Sequence, residues 1–213
     1  MHALIVVAHP HSQSLTHAIA THIAQGIQAN SSGNTYEIAD LATEGFDPRF
    51  TEYDWKAFLG GVTQSHEIVA EQTRLSRADA LVLVYPIYWW SFPALLKGWI
   101  DRVFTQGWAY EDDGSGKVVK KLQHLPVHLV ANGGANQRTF ARHGYFGAMK
   151  TQIEQGIFGY CGAPVVTSEL LLASDLEFPS AHLETAQKIG RRIFSDSPDT
   201  IQSEYQYNNA HGE

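Results

Sequence analysis

The sequence predicts an α/β protein: a parallel sheet covered by helices on both faces, in three layers. Two observations carry that reading. Short apolar runs rich in Val, Ile and Leu alternate along the chain with segments whose apolar residues recur at helical spacing. The runs also lack the strict polar alternation of a sheet with one wet face, so both faces are expected to be buried. With 213 residues the chain is the right length for one such domain.

The first run, residues 2–8 (HALIVVA), reads as a strand ending at His9 and Pro10. Leu15, Ile19, Ile23 and Ile27 then recur every four residues, one apolar stripe of a helix capped by Ser12 or Ser14 and stopped over 30–34. A second strand is expected over 36–41. Residues 42–66 have no clean period but hold Phe46, Phe50, Tyr53, Trp55 and Phe58, which suggests an excursion docked on the domain. A helix over 68–78 leads to the most strand-like run of the chain, ALVLVY over 80–85, halted by Pro86. Pro93 opens the next helix, with Leu96, Trp99, Ile100, Val103 and Phe104 on its buried side. Residues 111–121 read as a polar loop. A fourth strand over 127–131, a helix over 146–160, a fifth strand over 165–172 and a helix over 181–194 follow. The domain is thus expected over 1–195. A polar tail over 196–213 is expected to be poorly ordered or to dock on a partner subunit.

Composition narrows the function classes. A formal net charge of −7 argues against a phosphate-tracking basic surface and hence against nucleic acid as a partner. The single cysteine, Cys161, allows no intrachain disulfide framework. No apolar run approaches the roughly 18 residues of a bilayer span, and a strand-like segment follows Met1 at once, so the cytoplasm is the expected compartment.

In open parallel sheets ligands bind beyond the carboxyl ends of the strands, where strand order reverses. The loops after strands one, three and four are therefore the informative ones. The first, HPHSQSLT over 9–16, offers hydroxyls at Ser12, Ser14 and Thr16 beside the free N–H groups of a helix start, a natural anion site. It has neither the GxGxxG fingerprint nor a P-loop lysine. The same serines serve equally as plain caps, and His9 and His11 have no further ligand at a metal spacing, so no metal is expected. The second, PIYWWSFP over 86–93, places Tyr88, Trp89 and Trp90 on a surface turn, which suits covering a flat apolar ring and also suits a dimer interface. The third, ANGGANQ over 131–137, combines the Asn132 amide with Gly133 and Gly134, which tolerate positive φ and close backbone approach. A Gly-Gly pair after a strand is also an ordinary turn.

Three segments carry a family likeness. Residues 68–110 (IVAEQTRLSRADALVLVYPIYWWSFPALLKGWIDRVFTQGWAY), with LKGWIDRVF over 96–104 the most specific part, resemble the central segment of the NAD(P)H:quinone oxidoreductase family; VVAHPHSQSLT near the start and GIFGYCG over 156–162 are similar too. The resemblance spans about residues 2–194. It implies a flavodoxin-like three-layer αβα sandwich with a five-stranded parallel sheet of order 2-1-3-4-5. It also implies a bound flavin, FAD or alternatively FMN, with NAD(P)H as co-substrate. His9, Ser14, Leu15 and Thr16 would hold the phosphate arm. Pro86, Ile87, Tyr88, Trp89 and Trp90 would line the isoalloxazine, with Asn132, Gly133 and Gly134 completing the ring site. Trp89 and Trp90 would also face the acceptor, His143 matches the active-site histidine, and Tyr110 and Tyr160 match aromatics of an acceptor pocket shared across a homodimer. The family's mammalian members carry Gln where Tyr88 stands, Thr where Asn132 stands, and a tyrosine shortly before the histidine where this chain reads RTFAR.

The expected activity is two-electron ping-pong hydride transfer from NAD(P)H to a quinone or similar small aromatic acceptor, with His143 donating or accepting a proton. Bacterial branches of the family include the ancillary subunits of potassium efflux systems, so a flavin-binding regulatory subunit docked on a transporter is the alternative. A one-electron carrier is disfavoured by the extra aromatics.

Overall fold

The computed structural model describes residues 1–112, 114 and 116–195. These form strands β1 (His2–Val7), β2 (Thr35–Asp40), β3 (Ala80–Pro86), β4 (Tyr110–Asp112), β5 (Val118–Lys120), β6 (Val127–Gly133) and β7 (Val165–Leu172). The helices are α1 (Leu15–Asn30), α2 (Glu52–Phe58), α3 (His66–Ser76), α4 (Ala94–Val103), α5 (Gln137–His143), α6 (Tyr145–Met149) and α7 (Ser180–Arg192), with a π-helix over Lys150–Gly159 after α6. Five strands pair in parallel in the order β2-β1-β3-β6-β7, the reversal expected from the sequence once the small β4–β5 ribbon is set aside. The polar tail expected over 196–213 lies outside the described residues.

Side chains alternate across each strand, so each one feeds two cores. Leu4, Val6, Leu81, Leu83 and Leu129 pack under Trp99, Leu96 and Phe158; Ile5, Val7, Val82, Val84 and Val130 pack under Ile19, Ile23, Ile27 and Ala186. On the second face α1 and α7 touch backbone to backbone. A Cβ on Gly26 would collide with the Gln187 carbonyl, and one on Gly190 with the Ile23 carbonyl. That contact pins the α1 axis against the sheet and thereby fixes where its N-terminus points.

The excursion over 42–66 contains the short α2, started by a reciprocal Thr51–Asp54 capping box. It is held by charge. Arg102 reaches from α4 to Asp54 at 3.3 Å, Glu67 at 3.0 Å and the Asp47 carbonyl at 2.7 Å, while the Trp99 indole donates to Glu71 at 2.8 Å. The aromatics are less docked than their density suggests, since Trp55 and Phe58 stack on each other and stay half exposed.

Two segments depart from the sequence reading. The polar loop over 111–121 is the antiparallel β4–β5 hairpin, whose turn uses Gly114 and Gly116 in the left-handed region, at φ 77° and 83°. The helix expected over 146–160 begins nine residues earlier as α5, breaks at Gly144 (φ 70°), and winds as a π-helix past Lys150. Gly147, Gly156 and Gly159 weaken α-helical preference there, so the wider winding competes. Among the described residues no helix is long and apolar enough to cross a membrane.

One buried group ties stability to pH. His128 on β6 is buried, its Nδ1 pairs with the Thr167 hydroxyl at 2.9 Å, and its Nε2 has no partner. Burial pushes its pKa down to about 4 from the ordinary 6.5. The folded protein thus keeps the ring neutral while the unfolded chain protonates it, so stability is full above the unfolded value and lost as pH falls towards the folded one. The expected loss from this site is about 2 kcal/mol between pH 7.5 and 5, growing to about 3 kcal/mol by pH 4. Urea unfolding across that range should show His128→Leu losing this part of the acid sensitivity; an unaltered slope would exclude the site.

Candidate functional site

The register of the sheet brings the carboxyl ends of its central strands level. Val7 stands beside Asp40 and Val84, and Pro86 beside Asn132. The chain therefore leaves β1, β3 and β6 from one edge, with the order reversal at the crevice.

Beyond β1, Ser14 caps α1: its Oγ accepts from the His17 N–H at 3.3 Å, and its carbonyl takes the first helical bond, from Ala18. The N–H groups of Leu15 and Thr16 are then left without an intrahelical acceptor and point off the helix start. His9 folds over this turn with Nδ1 accepting the His11 N–H at 3.0 Å. His17, one turn in, lies between the Ser14 hydroxyl and Asp40, 2.9 Å from each. Partial burial works against the Asp40 carboxylate, but hydrogen bonds from Thr43 and His17 outweigh it and hold its pKa below the ordinary value.

Asn132 joins the three loops. Its side-chain oxygen accepts the hydroxyl of Thr16, a fully buried residue of α1, at 2.9 Å, and its carbonyl accepts the Ile87 N–H at 2.8 Å. With the oxygen so engaged, the amide nitrogen keeps its donors.

The loop after β3 is a two-residue hairpin turn. Tyr88 and Ser91 exchange both backbone hydrogen bonds, at 3.2 and 3.1 Å, and Trp89 and Trp90 between them sit at φ 50° and 61°. Two left-handed residues make the tight turn that glycine or asparagine usually fills, and for aromatics each costs about 1 kcal/mol or more. The turn leaves Trp89 92% exposed. Trp90 folds inward, stacked on Tyr145 at 3.7 Å and edge-on to Phe140 at 5.2 Å, and Tyr145 in turn stacks with His143 at 5.4 Å. Ile87, Trp89, Trp90, Gly133, Gly134, Ala135 and Phe140 enclose a cavity of about 200 Å³. Gly133 and Gly134 do not adopt the positive φ that the sequence suggested. Their use is spatial: a Cβ on Gly134 would meet nothing and would stand in open space beside the cavity, while Gly133 packs on Leu172. A larger open groove of about 630 Å³ runs beside Lys120, Gln123 and Val165 at the start of β7, the opposite edge of the sheet, and the three loops contribute nothing to it.

A family model described as the flavodoxin-like fold matches residues 1–193. The chain is 33% identical over 171 residues to an NAD(P)H oxidoreductase of Haemophilus influenzae, covering 80% of this chain and 83% of the relative. The chain belongs to the NAD(P)H:quinone oxidoreductase family of flavodoxin-like proteins. It is 27% identical to the ribosyldihydronicotinamide dehydrogenase [quinone] of Homo sapiens, over 81% of this chain and 82% of that protein. Among solved structures, the NAD(P)H:quinone oxidoreductase of Methanothermobacter marburgensis superposes with a TM-score of 0.81 at 26% identity, covering 91% of this chain and 98% of that one.

For a member of this oxidoreductase family, the structure gathers most of the expected site and leaves part of it apart. His9, Ser14, Leu15, Thr16, Pro86, Ile87, Tyr88, Trp89, Trp90, Asn132, Gly133 and Gly134 share one sheet edge. His143 reaches Trp90 only through Tyr145. Tyr110 and Tyr160 pack edge to face at 5.1 Å, and neither lines the cavity. Burial, then the neighbouring Tyr160, raises the pKa of the Tyr110 phenol. The sequence reading missed Tyr145, His17 and Asp40. Tyr145 follows the helix-ending Gly144, so only the break at that glycine, absent from the expected helix over 146–160, would have pointed to it. His17 stands three residues after Ser14, the spacing at which a helix's third residue meets its cap.

If Asn132 is the joint of the site, losing its partner should be felt. Thr16→Val removes the donor at constant shape and strands the Asn132 oxygen, for an expected loss of about 1 kcal/mol, whereas Thr16→Ser keeps the bond. Denaturant midpoints of the two variants against the parent check it.

Proposed function

We propose that the chain is a flavin-dependent NAD(P)H dehydrogenase that reduces quinones or similar small aromatic acceptors, the two substrates alternating in one slot. The observation that supports it best is the meeting of the Trp89–Trp90 turn and the Gly133–Gly134 loop on one cavity, with the α1 N-terminus tied to them at the same sheet edge through the Thr16–Asn132 hydrogen bond. The donor set fits a flavin at both ends. Ser14 and the N–H groups of Leu15 and Thr16 suit a phosphate arm, with His9 beside them. The cavity walls of Ile87, Trp89 and Trp90, with the open space over Gly134, suit a flat ring. Bound there, a flavin supplies the hydride chemistry that no side chain has.

The remaining work falls to the chain. Pro86 and Tyr88 frame the ring-side turn, and the fixed backbone of that turn presents its N–H groups without reorganisation. Trp89 and Trp90 exclude water and stack against nicotinamide or acceptor. His143, exposed at the end of α5 and stacked on Tyr145, donates or accepts the proton that accompanies reduction. Tyr110 and Tyr160 act in a homodimer, each pair closing the partner's slot. A cavity of about 200 Å³ in one chain supports this, because ligand sites usually reach roughly 300 Å³ or more and a second surface would complete it. FAD and FMN both satisfy the phosphate end.

Three measurements test the reading. The protein desalted after flavin loading should be yellow, and the mass of the released chromophore chooses FAD or FMN; a colourless protein ends the proposal. Gly134→Val, whose branches enter open space, should weaken flavin binding about tenfold or more, roughly 1.4 kcal/mol, with an unchanged melting temperature. His143→Ala should slow NAD(P)H oxidation in the presence of a naphthoquinone by about 10²-fold or more while flavin content stays full.

A further inference from the structure

The Ser14 hydroxyl stands where the proposed phosphate arm ends, and its hydrogen has two places to go. Its Oγ lies 2.9 Å from Nδ1 of His17, and the far nitrogen of that ring, Nε2, lies 2.9 Å from Oδ2 of Asp40. An ionised carboxylate only accepts, so Nε2 carries a hydrogen. In the neutral ring Nδ1 is then bare and takes the Ser14 O–H, which turns the hydroxyl inward and shows a lone pair to any anion ahead of the helix. In the imidazolium both nitrogens donate. Nδ1–H then points at Ser14 Oγ, which also accepts the His17 N–H, and the hydroxyl hydrogen is released outward.

Asp40 is placed to favour the charged ring. The Thr43 hydroxyl donates to it at 2.6 Å and the Thr43 N–H at 3.2 Å, and both support the ionised carboxylate. Among the described residues Asp40 is the charged group paired with His17. His9, ring to ring at 6.2 Å and edge-on, is the titratable neighbour from the β1–α1 loop, and Thr21 on α1 donates to the His17 carbonyl. Backbone donors at the helix start are the same in either state, so the Ser14 hydroxyl is the part of the anion site that the ring's proton switches.

We infer that His17 is a proton-linked positioning residue for the phosphate end of the flavin: charged against Asp40 it makes Ser14 a donor to the phosphate, and neutral it withdraws that donor. This rests on the proposed flavin site and deepens it. Phosphate binding and proton uptake are then one coupled event, and affinity falls as pH rises through the imidazole range.

The experiment is flavin affinity, read by quenching of flavin fluorescence, from about pH 6 to about pH 8.5, the window in which imidazoles change charge. FAD is the primary probe because its pyrophosphate lacks the second ionisation, near about pH 6, of a phosphate monoester such as FMN. Riboflavin, which has no phosphate, is the control. FAD should weaken about tenfold across the window, one linked proton allowing at most about tenfold per pH unit, and riboflavin should not follow. His17→Gln should flatten the FAD profile. Asp40→Asn, whose amide can donate to Nε2 and leave a neutral ring with its hydrogen on Nδ1, should flatten it too. Because both variants stand near the α1 cap, calorimetry of the unmodified protein in buffers of different ionisation heat gives an independent reading, uptake of about half a proton per FAD bound where the profile is steepest, the most that a tenfold change through one group allows. A His17→Gln profile as steep as the parent's, or no proton uptake, overturns the inference and leaves the flavin site standing. FAD and FMN binding no tighter than riboflavin in the parent protein removes the phosphate site itself, and the inference with it.

Discussion

Asn132 is the residue on which the arrangement turns. It is the penultimate residue of β6, beside Pro86 where β3 gives way to its loop, and it receives a hydrogen bond from each neighbouring connection, through its carbonyl from Ile87 and through its amide oxygen from Thr16. Parallel strands alone would bring three loops to one edge and leave each to find its own conformation. Thr16 is wholly buried, so its bond to Asn132 is shielded from competing water, and α1 itself is fixed by the backbone contact of Gly26 with α7. The position of the helix N-terminus relative to the aromatic turn thus follows from packing on the far face of the sheet.

The two ends of the site are built by opposite means. At the α1 end the groups are small and polar, and their hydrogens can be redistributed among Ser14, His17 and Asp40 without moving a heavy atom. At the β3 end the groups are large and rigid. Trp89 and Trp90 hold left-handed backbone angles because Tyr88 and Ser91 close the turn beneath them, and Trp90 is clamped between Tyr145 and Phe140. Strain kept in place by surrounding contacts is a preorganised surface. A flat ring would meet walls already in position, while its charged arm would meet donors that still adapt.

Much of this was legible in the sequence because the strands are buried on both faces. ALVLVY and HALIVVA leave no amphipathic alternative, and the residues that stop them, Pro86 and His9–Pro10, mark the loops that matter. Ser14 was one of two serines offered as the cap, and the choice lay in spacing that only the α1 axis decides. The β4–β5 hairpin was invisible. Its strands are three residues each and largely exposed, and they are anchored where the Ala109 and Cys161 carbonyls accept the N–H groups of Lys121 and Leu122. The break at Gly144 and the π-helix were missed because Phe146, Met149, Ile153 and Ile157 recur at α-helical spacing, and the apolar pattern alone does not mark the change of winding. His17 carried no signal of its own, since its meaning comes from Asp40, which is distant in sequence and adjacent only after β1 and β2 pair in register.

The exposure of Trp89 is the step that connects fold to use. An indole that is 92% exposed on a strained turn gains nothing from the fold it belongs to, and the turn around it is nonetheless held by two backbone hydrogen bonds and a stacked neighbour. Burying such a ring contributes on the order of 2 kcal/mol or more when a partner surface arrives. The cavity at its foot is smaller than a ligand site of ordinary size and opens toward it. A wall built at a cost and left uncovered in a single chain has a use only where something flat is laid against it, and the proposed flavin and the aromatic pair of a second subunit are the two surfaces of the right shape and chemistry to do so.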